Sequence, residues 1–131
     1  MEQQGDKRVI MVVDDDPSIL FTVETILEYA DVNVIKAENG YSCLDQLEAG
    51  FRGVILMDIM MPEMDGWDTI REILSRGLME GNVISMITAK DVPDKKMEGL
   101  EEYVIDYIMK PFEPERLTSA VDQYLSYVEK P

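Results

Sequence analysis

Five short runs of almost continuous apolar residues recur along the chain, at 9–13, 32–35, 54–57, 83–87 and 104–109, each bounded by Gly, Asp, Asn or Lys. Unbroken hydrophobicity, rather than strict alternation, is how strands buried on both faces read. Between these runs the apolar residues take a helical period. After Asp16-Pro17 they fall at Ile19, Leu20, Val23, Ile26, Leu27 and Ala30, which is one face of a helix. Asp16 suits an N-cap and Pro17 the first turn, where a missing N–H costs nothing. Tyr41, Leu44 and Leu47 predict a second helix ending near Gly50, and Trp67, Ile70 and Leu74 a third stopped by Gly77. A fourth starts at Pro93, with only Met97 and Leu100 marking its apolar face and Gly99 inside it. The fifth carries Leu117, Ala120, Val121, Tyr124, Leu125 and Val128.

A strand–helix unit repeated five times predicts an α/β fold: a five-stranded parallel sheet, doubly wound (βα)5, with right-handed crossovers and helices on both faces. The 131 residues suffice for one core, so 1–131 reads as a single domain with an ordered core of about 8–128 and frayed ends at 1–7 and 129–131.

Charge narrows the function. Twelve Lys and Arg against 27 Asp and Glu give a formal charge of −15, which opposes electrostatic binding of nucleic acid or an anionic membrane. The chain has no histidine, so imidazole bases, histidine metal ligands and phosphohistidine are all excluded. The single cysteine, Cys43, rules out an internal disulfide and a thiolate metal cluster. With no signal peptide and no membrane-length apolar run, a reducing cytoplasm is expected. The ten methionines read as core filling.

Open α/β sheets bind ligands beyond the carboxyl ends of their strands. There the chain places Asp14-Asp15-Asp16, then Asp58, then Thr88-Ala89, then Lys110-Pro111, while the second strand ends in Lys36-Ala37-Glu38 with nothing comparable. Each group alone has an ordinary reading: a helix cap, turn chemistry, strand propensity, a solvated lysine. Their shared placement at one sheet edge does not. Carboxylates at 14, 15 and 58 would crowd one another, which calls for a cation or protonation. Lys110 supplies one positive charge. An all-oxygen donor set favours a hard ion such as Mg²⁺, which keeps several waters and prefers one or two carboxylates plus a phosphoryl oxygen.

These residues also resemble a known family. Val12-Val13-Asp14-Asp15-Asp16-Pro17, Met57-Asp58-Ile59-Met60-Met61-Pro62-Glu63-Met64-Asp65-Gly66, Ile87-Thr88-Ala89-Lys90 and Asp106-Tyr107-Ile108-Met109-Lys110-Pro111-Phe112 look like the receiver domain of two-component response regulators. The separations fit as well: 43 residues from Asp15 to Asp58, 30 to Thr88 and 22 to Lys110. The likeness spans 8–128 and implies the flavodoxin-like strand order 2-1-3-4-5.

By that resemblance Asp58 is the phosphoacceptor, a carboxylate nucleophile toward phosphorus. Mg²⁺ would be bound by Asp15, Asp58 and the Met60 carbonyl, with Asp14 acting mainly through water. Lys110, the Thr88 hydroxyl and the Ala89 N–H would contact the phosphoryl oxygens, and the bond before Pro111 would be cis. Thr88 and Tyr107 would be the switch pair, altering the surface of helix four, strand five and helix five. The donor would be a histidine kinase or histidine phosphotransfer protein, and the output an unknown protein target. The domain would be a monomer or weak dimer and no enzyme beyond its own phosphorylation and dephosphorylation. No output segment follows the fifth helix, so it is read as free-standing or cut from a longer protein.

There are departures from the family pattern. Tyr103 and Val104 stand where a Gly-Ala pair is usual, removing a helix C-cap glycine. Met60 and Lys90 occupy positions that tune phosphoryl lifetime, and an apolar Met60 holds a hydrolytic water poorly, so a long-lived phosphoryl group is expected. Two rival functions also follow from the residues. Asp14 and Asp16 satisfy the Asp-x-Asp of aspartate-nucleophile phosphatases of the haloacid dehalogenase type, and a receiver-like module could bind partners without being phosphorylated.

Overall fold

The computed structural model describes residues 8–89 and 98–128. In chain order the elements are β1 (Arg8–Val13), α1 (Pro17–Tyr29), β2 (Val32–Ala37), α2 (Gly40–Glu48), β3 (Val54–Asp58), α3 (Gly66–Ser75), β4 (Val83–Thr88), a 3-10 turn (Glu101–Tyr103), β5 (Val104–Met109) and α4 (Pro114–Val128). The strands form one parallel sheet in the order β2-β1-β3-β4-β5.

The unbroken apolar runs have a direct explanation. In β1, Met11 and Val13 join a core cluster with Leu44 and Leu47 of α2 and Ile70 and Ile73 of α3. Ile10 and Val12 face the other way, onto Leu20 and Val23 of α1 and Leu117 and Val121 of α4. Side chains alternate faces along a strand, so a strand covered on both sides needs an apolar residue at every position. β3 is buried throughout, and β4 everywhere but at its first residue.

The edge strands depart from that reading. β2 is buried only at Val32 and Ala37, and in β5 only Ile108 is buried. Each has a neighbour on one side only, so its outer positions meet solvent.

Helix ends follow the sequence closely. The Asp16 carboxylate accepts the Ser18 N–H at 2.9 Å and Pro17 occupies the first turn of α1. Gly77, at φ 70°, ends α3: its N–H donates to the Leu74 carbonyl, and the Leu78 N–H donates to Ile73. That pair of bonds satisfies carbonyls the helix leaves open, at a backbone conformation that suits glycine.

Three predicted helix faces need adjustment. Tyr41 is 51% exposed, and Cys43 takes its place in the core beside Leu44 and Leu47. Ile73, rather than Leu74, is buried on α3. Pro93 and Met97 of the predicted fourth helix lie outside the described residues, as do Lys90 and the two ends. Gly99 does not sit within a helix: residues 98–100 form a turn, with Gly99 at φ 82° and Leu100 buried.

Candidate functional site

The carboxyl ends of β1, β3, β4 and β5 deliver the predicted groups to one edge of the sheet. Asp14 follows β1, held by its N–H donating to the Ala37 carbonyl at 3.1 Å, and its side chain is fully buried. Asp15 is next and exposed. Asp58 ends β3, 5% exposed. Carboxylate oxygens of Asp14, Asp15 and Asp58 all lie within 4.8 Å of one another. Lys110, one residue past β5, reaches in from the far side: its Nζ lies 3.2 Å from Asp14 Oδ2 and 3.5 Å from Asp58 Oδ1. The other Asp14 oxygen accepts the Asp16 N–H at 2.9 Å.

The backbone explains how Lys110 gets there. Its N–H donates to the Thr88 carbonyl at 2.7 Å, extending the β4–β5 pairing by one step, and the Lys110–Pro111 peptide bond is cis. Thr88 is 3% exposed, whereas Ala89 and Met60 are exposed.

Gly66 shapes the turn after Asp58. Its N–H donates to the Ile59 carbonyl at 2.8 Å. A Cβ at Gly66 would sit 2.8 Å from the Asp58 carbonyl oxygen and 2.9 Å from the Met86 side chain. Only a residue without a side chain lets the start of α3 press this closely against the end of β3.

Electrostatics mark Asp58 within the group. Burial, first, and the neighbouring Asp14 carboxylate, second, push its pKa up from 3.8 to about 6; Lys110 and the Met60 N–H, which hydrogen-bonds the carboxylate, oppose the rise, and Asp15 adds to it. Three ionised carboxylates facing one ammonium leave two negative charges uncompensated in a largely buried place. The donors are all oxygen, they converge, and the missing charge is that of a divalent ion. The residues fit Mg²⁺.

Asp16, the other acid of the phosphatase-like Asp-x-Asp, has a different job. It is exposed, and its carboxylate accepts both the N–H and the hydroxyl of Ser18, which lowers its pKa. A carboxylate held as an ionised helix cap is poorly placed to act as a general acid.

One polar group was not singled out from sequence. The buried Ser85 hydroxyl donates to Tyr124 Oη at 3.0 Å, and that phenol donates to Asp106 Oδ2 at 2.6 Å. Asp106 Oδ1 accepts the Tyr107 N–H, and Arg116 bonds both the Tyr107 carbonyl and Asp106 Oδ2. The network ties β4, β5 and α4 together beside Tyr107, which is itself 37% exposed. Its signal was a lone serine in an apolar strand, since a buried hydroxyl needs a partner.

Residues 10–122 match the family of the response regulator receiver domain. Among curated relatives, the chain is 33% identical over 125 residues to protein PilG of Pseudomonas aeruginosa, covering 95% of this chain and 93% of PilG. It is 35% identical over 116 residues to the alkaline phosphatase synthesis transcriptional regulatory protein PhoP of Bacillus subtilis, covering 88% of this chain but 48% of PhoP, so it spans about half of that relative. Among solved structures, a CheY-like response regulator receiver domain protein from Methanospirillum hungatei JF-1 superposes with a TM-score of 0.89 at 51% identity, covering 93% of this chain and 97% of the other. The chemotaxis protein CheY4 of Vibrio cholerae superposes with a TM-score of 0.80 at 29% identity, covering 90% and 98%. With its flavodoxin-like strand order and its acidic edge, the chain belongs to the receiver domains of two-component response regulators.

Proposed function

We propose that Asp58 accepts a phosphoryl group from a phosphohistidine donor, a histidine kinase or a histidine phosphotransfer protein, and that the modified domain then binds a protein target. The observation that carries this reading is the convergence of the Asp14, Asp15 and Asp58 carboxylates with the Lys110 ammonium beside them.

The Asp58 carboxylate attacks phosphorus in line; the new P–O bond forms as the donor's N–P bond breaks, and the electron pair stays on the imidazole. Nucleophilicity requires the ionised carboxylate, so the ion pair with Lys110 and the Met60 N–H bond, which both favour ionisation, serve the reaction. Lys110 also stands where negative charge accumulates on the transferring oxygens. The Thr88 hydroxyl and the Ala89 N–H contact the bound phosphoryl group. Asp15, Asp58 and the Met60 carbonyl would hold Mg²⁺, with Asp14 acting mainly through water, and the ion would offset charge on the phosphoryl oxygens.

Output follows from the change in charge. Thr88 and Tyr107 act as the switch pair, and the surface beside β5 and α4 is what the target reads. The domain, residues 1–131 with a core of about 8–128, works in the cytoplasm as a monomer or weak dimer, without touching nucleic acid or membrane. Among the described residues, no helix is long and apolar enough to cross a membrane.

The test is transfer of radiolabelled phosphate from a phosphorylated histidine kinase. Acid-labile, alkali-stable phosphohistidine label on the kinase should fall, and hydroxylamine-sensitive acyl phosphate should appear on this chain only when Mg²⁺ is present. Steady hydrolysis of a small phosphate ester with no labelled protein would instead favour the phosphatase reading. Retention of all label on the kinase would favour a module that binds without being phosphorylated.

A further inference from the structure

The methionines divide by position. Met11, Met57 and Met86 are fully buried, Met61 is 7% exposed, and Met64 and Met79 are half-buried. Among the described methionines, the two exposed ones both flank the acidic site: Met60 at 63%, two residues after Asp58, and Met109 at 44%, immediately before Lys110. Met60 is the closer to the reacting carboxylate, because its own N–H hydrogen-bonds Asp58. Its thioether therefore emerges into solvent next to the place where a phosphoryl group on Asp58 would sit.

We propose that Met60 is an oxidation site through which peroxide shortens the life of the aspartyl phosphate; this rests on the reading of Asp58 as phosphoacceptor. The thioether sulfur attacks one oxygen of hydrogen peroxide. An S–O bond forms and the O–O bond breaks, sulfur is oxidised and peroxide reduced, and the departing hydroxide takes the proton from the transferred oxygen to give sulfoxide and water. A thioether is a weak acceptor that orders water poorly, whereas a sulfoxide oxygen is a strong one. Placed beside the acyl phosphate, it positions a water for attack. That water's oxygen bonds to phosphorus, the P–O bond to Asp58 breaks with the electron pair returning to the carboxylate, and the water proton leaves with phosphate. The cysteine does not compete: Cys43 is fully buried, and burial pushes its thiol up to about 12, far from the reactive thiolate.

The experiment treats the protein with hydrogen peroxide, removes the peroxide with catalase, labels Asp58 with acetyl phosphate and Mg²⁺, removes the donor, and follows loss of label by intact mass. Peptide mass mapping reports which methionines carry oxygen. The expected result is several-fold faster decay for the oxidised protein, reversed by methionine sulfoxide reductase. Peroxide should not accelerate decay in Met60→Leu, and should do so in Met109→Leu as in the unaltered chain. Met60→Gln, which carries a permanent acceptor, should decay faster without peroxide. Unchanged decay in protein whose Met60 is oxidised would overturn the proposal, as would equal acceleration in Met60→Leu or oxidation that spares Met60. Failure of Asp58 to take any label would bring down the phosphoacceptor reading along with it, whereas normal labelling with unchanged decay brings down the oxidation step alone.

Discussion

Asp58 carries a conflict between burial and charge that can be read as a pH dependence. Its folded pKa is raised from 3.8 to about 6, with burial the first cause and Asp14 the second. The folded state therefore holds this proton more tightly than the unfolded chain does. Its contribution to stability is complete below pH 3.8 and is lost as pH rises to about 6. In metal-free buffer, urea midpoints should fall across that window, and Asp58→Asn should flatten the fall and leave the protein more stable than the parent at neutral pH. A profile that is identical in the two proteins would contradict the buried acid. Tyr124 is a second residue whose worth can be measured. Its phenol bridges Ser85 and Asp106, and burial together with the Asp106 carboxylate pushes its pKa upward. Tyr124→Phe leaves both partners short of a bond, which should cost about 1–3 kcal/mol in denaturant unfolding.

At the level of elements, the strands and their terminal residues were legible because two physical periods are unambiguous here. Central strands covered on both faces must be apolar throughout, and helices that cover them must carry one apolar stripe. β3 and β4 satisfy the first rule and α4 the second. The edge strands β2 and β5 read as covered on both faces and are not, because apolar residues, such as Ile105 and Met109 of β5, stand on an open face that the sequence alone does not distinguish from a covered one. Tyr41 lies outside the core for a related reason: in so short a helix, Cys43 and Leu44 complete the stripe without it. The acidic site was legible because its residues end strands, and topology gathers strand ends. The Ser85–Tyr124–Asp106–Arg116 network was not, since it joins elements far apart in the chain through side chains that each have a routine role. Gly66 shows what a motif letter means physically. Gly66→Ala would drive a methyl group against the Asp58 carbonyl and Met86, and overpacking of that kind should cost about 1–3 kcal/mol in chemical denaturation.

For the molecule as a whole, the −15 charge sets the terms. Acids dominate the surface and three of them converge at one edge, so the metal-free fold works against its own repulsion. Mg²⁺ that binds only the native state should raise the melting temperature with the logarithm of its concentration once that exceeds its dissociation constant. Asp15→Asn should raise the metal-free melting temperature and shrink the Mg²⁺-induced rise, both read by differential scanning calorimetry. A lower metal-free value in the variant would mean that the cluster is not under charge strain.

The central claim is that this convergence makes Asp58 the acceptor of a phosphoryl group. Intact mass after incubation with acetyl phosphate and Mg²⁺, with Asp58→Asn treated in parallel, tests it most directly. The account predicts that the parent gains the mass of one PO₃ group and the variant gains none. No gain in the parent, or an equal gain in Asp58→Asn, would contradict it.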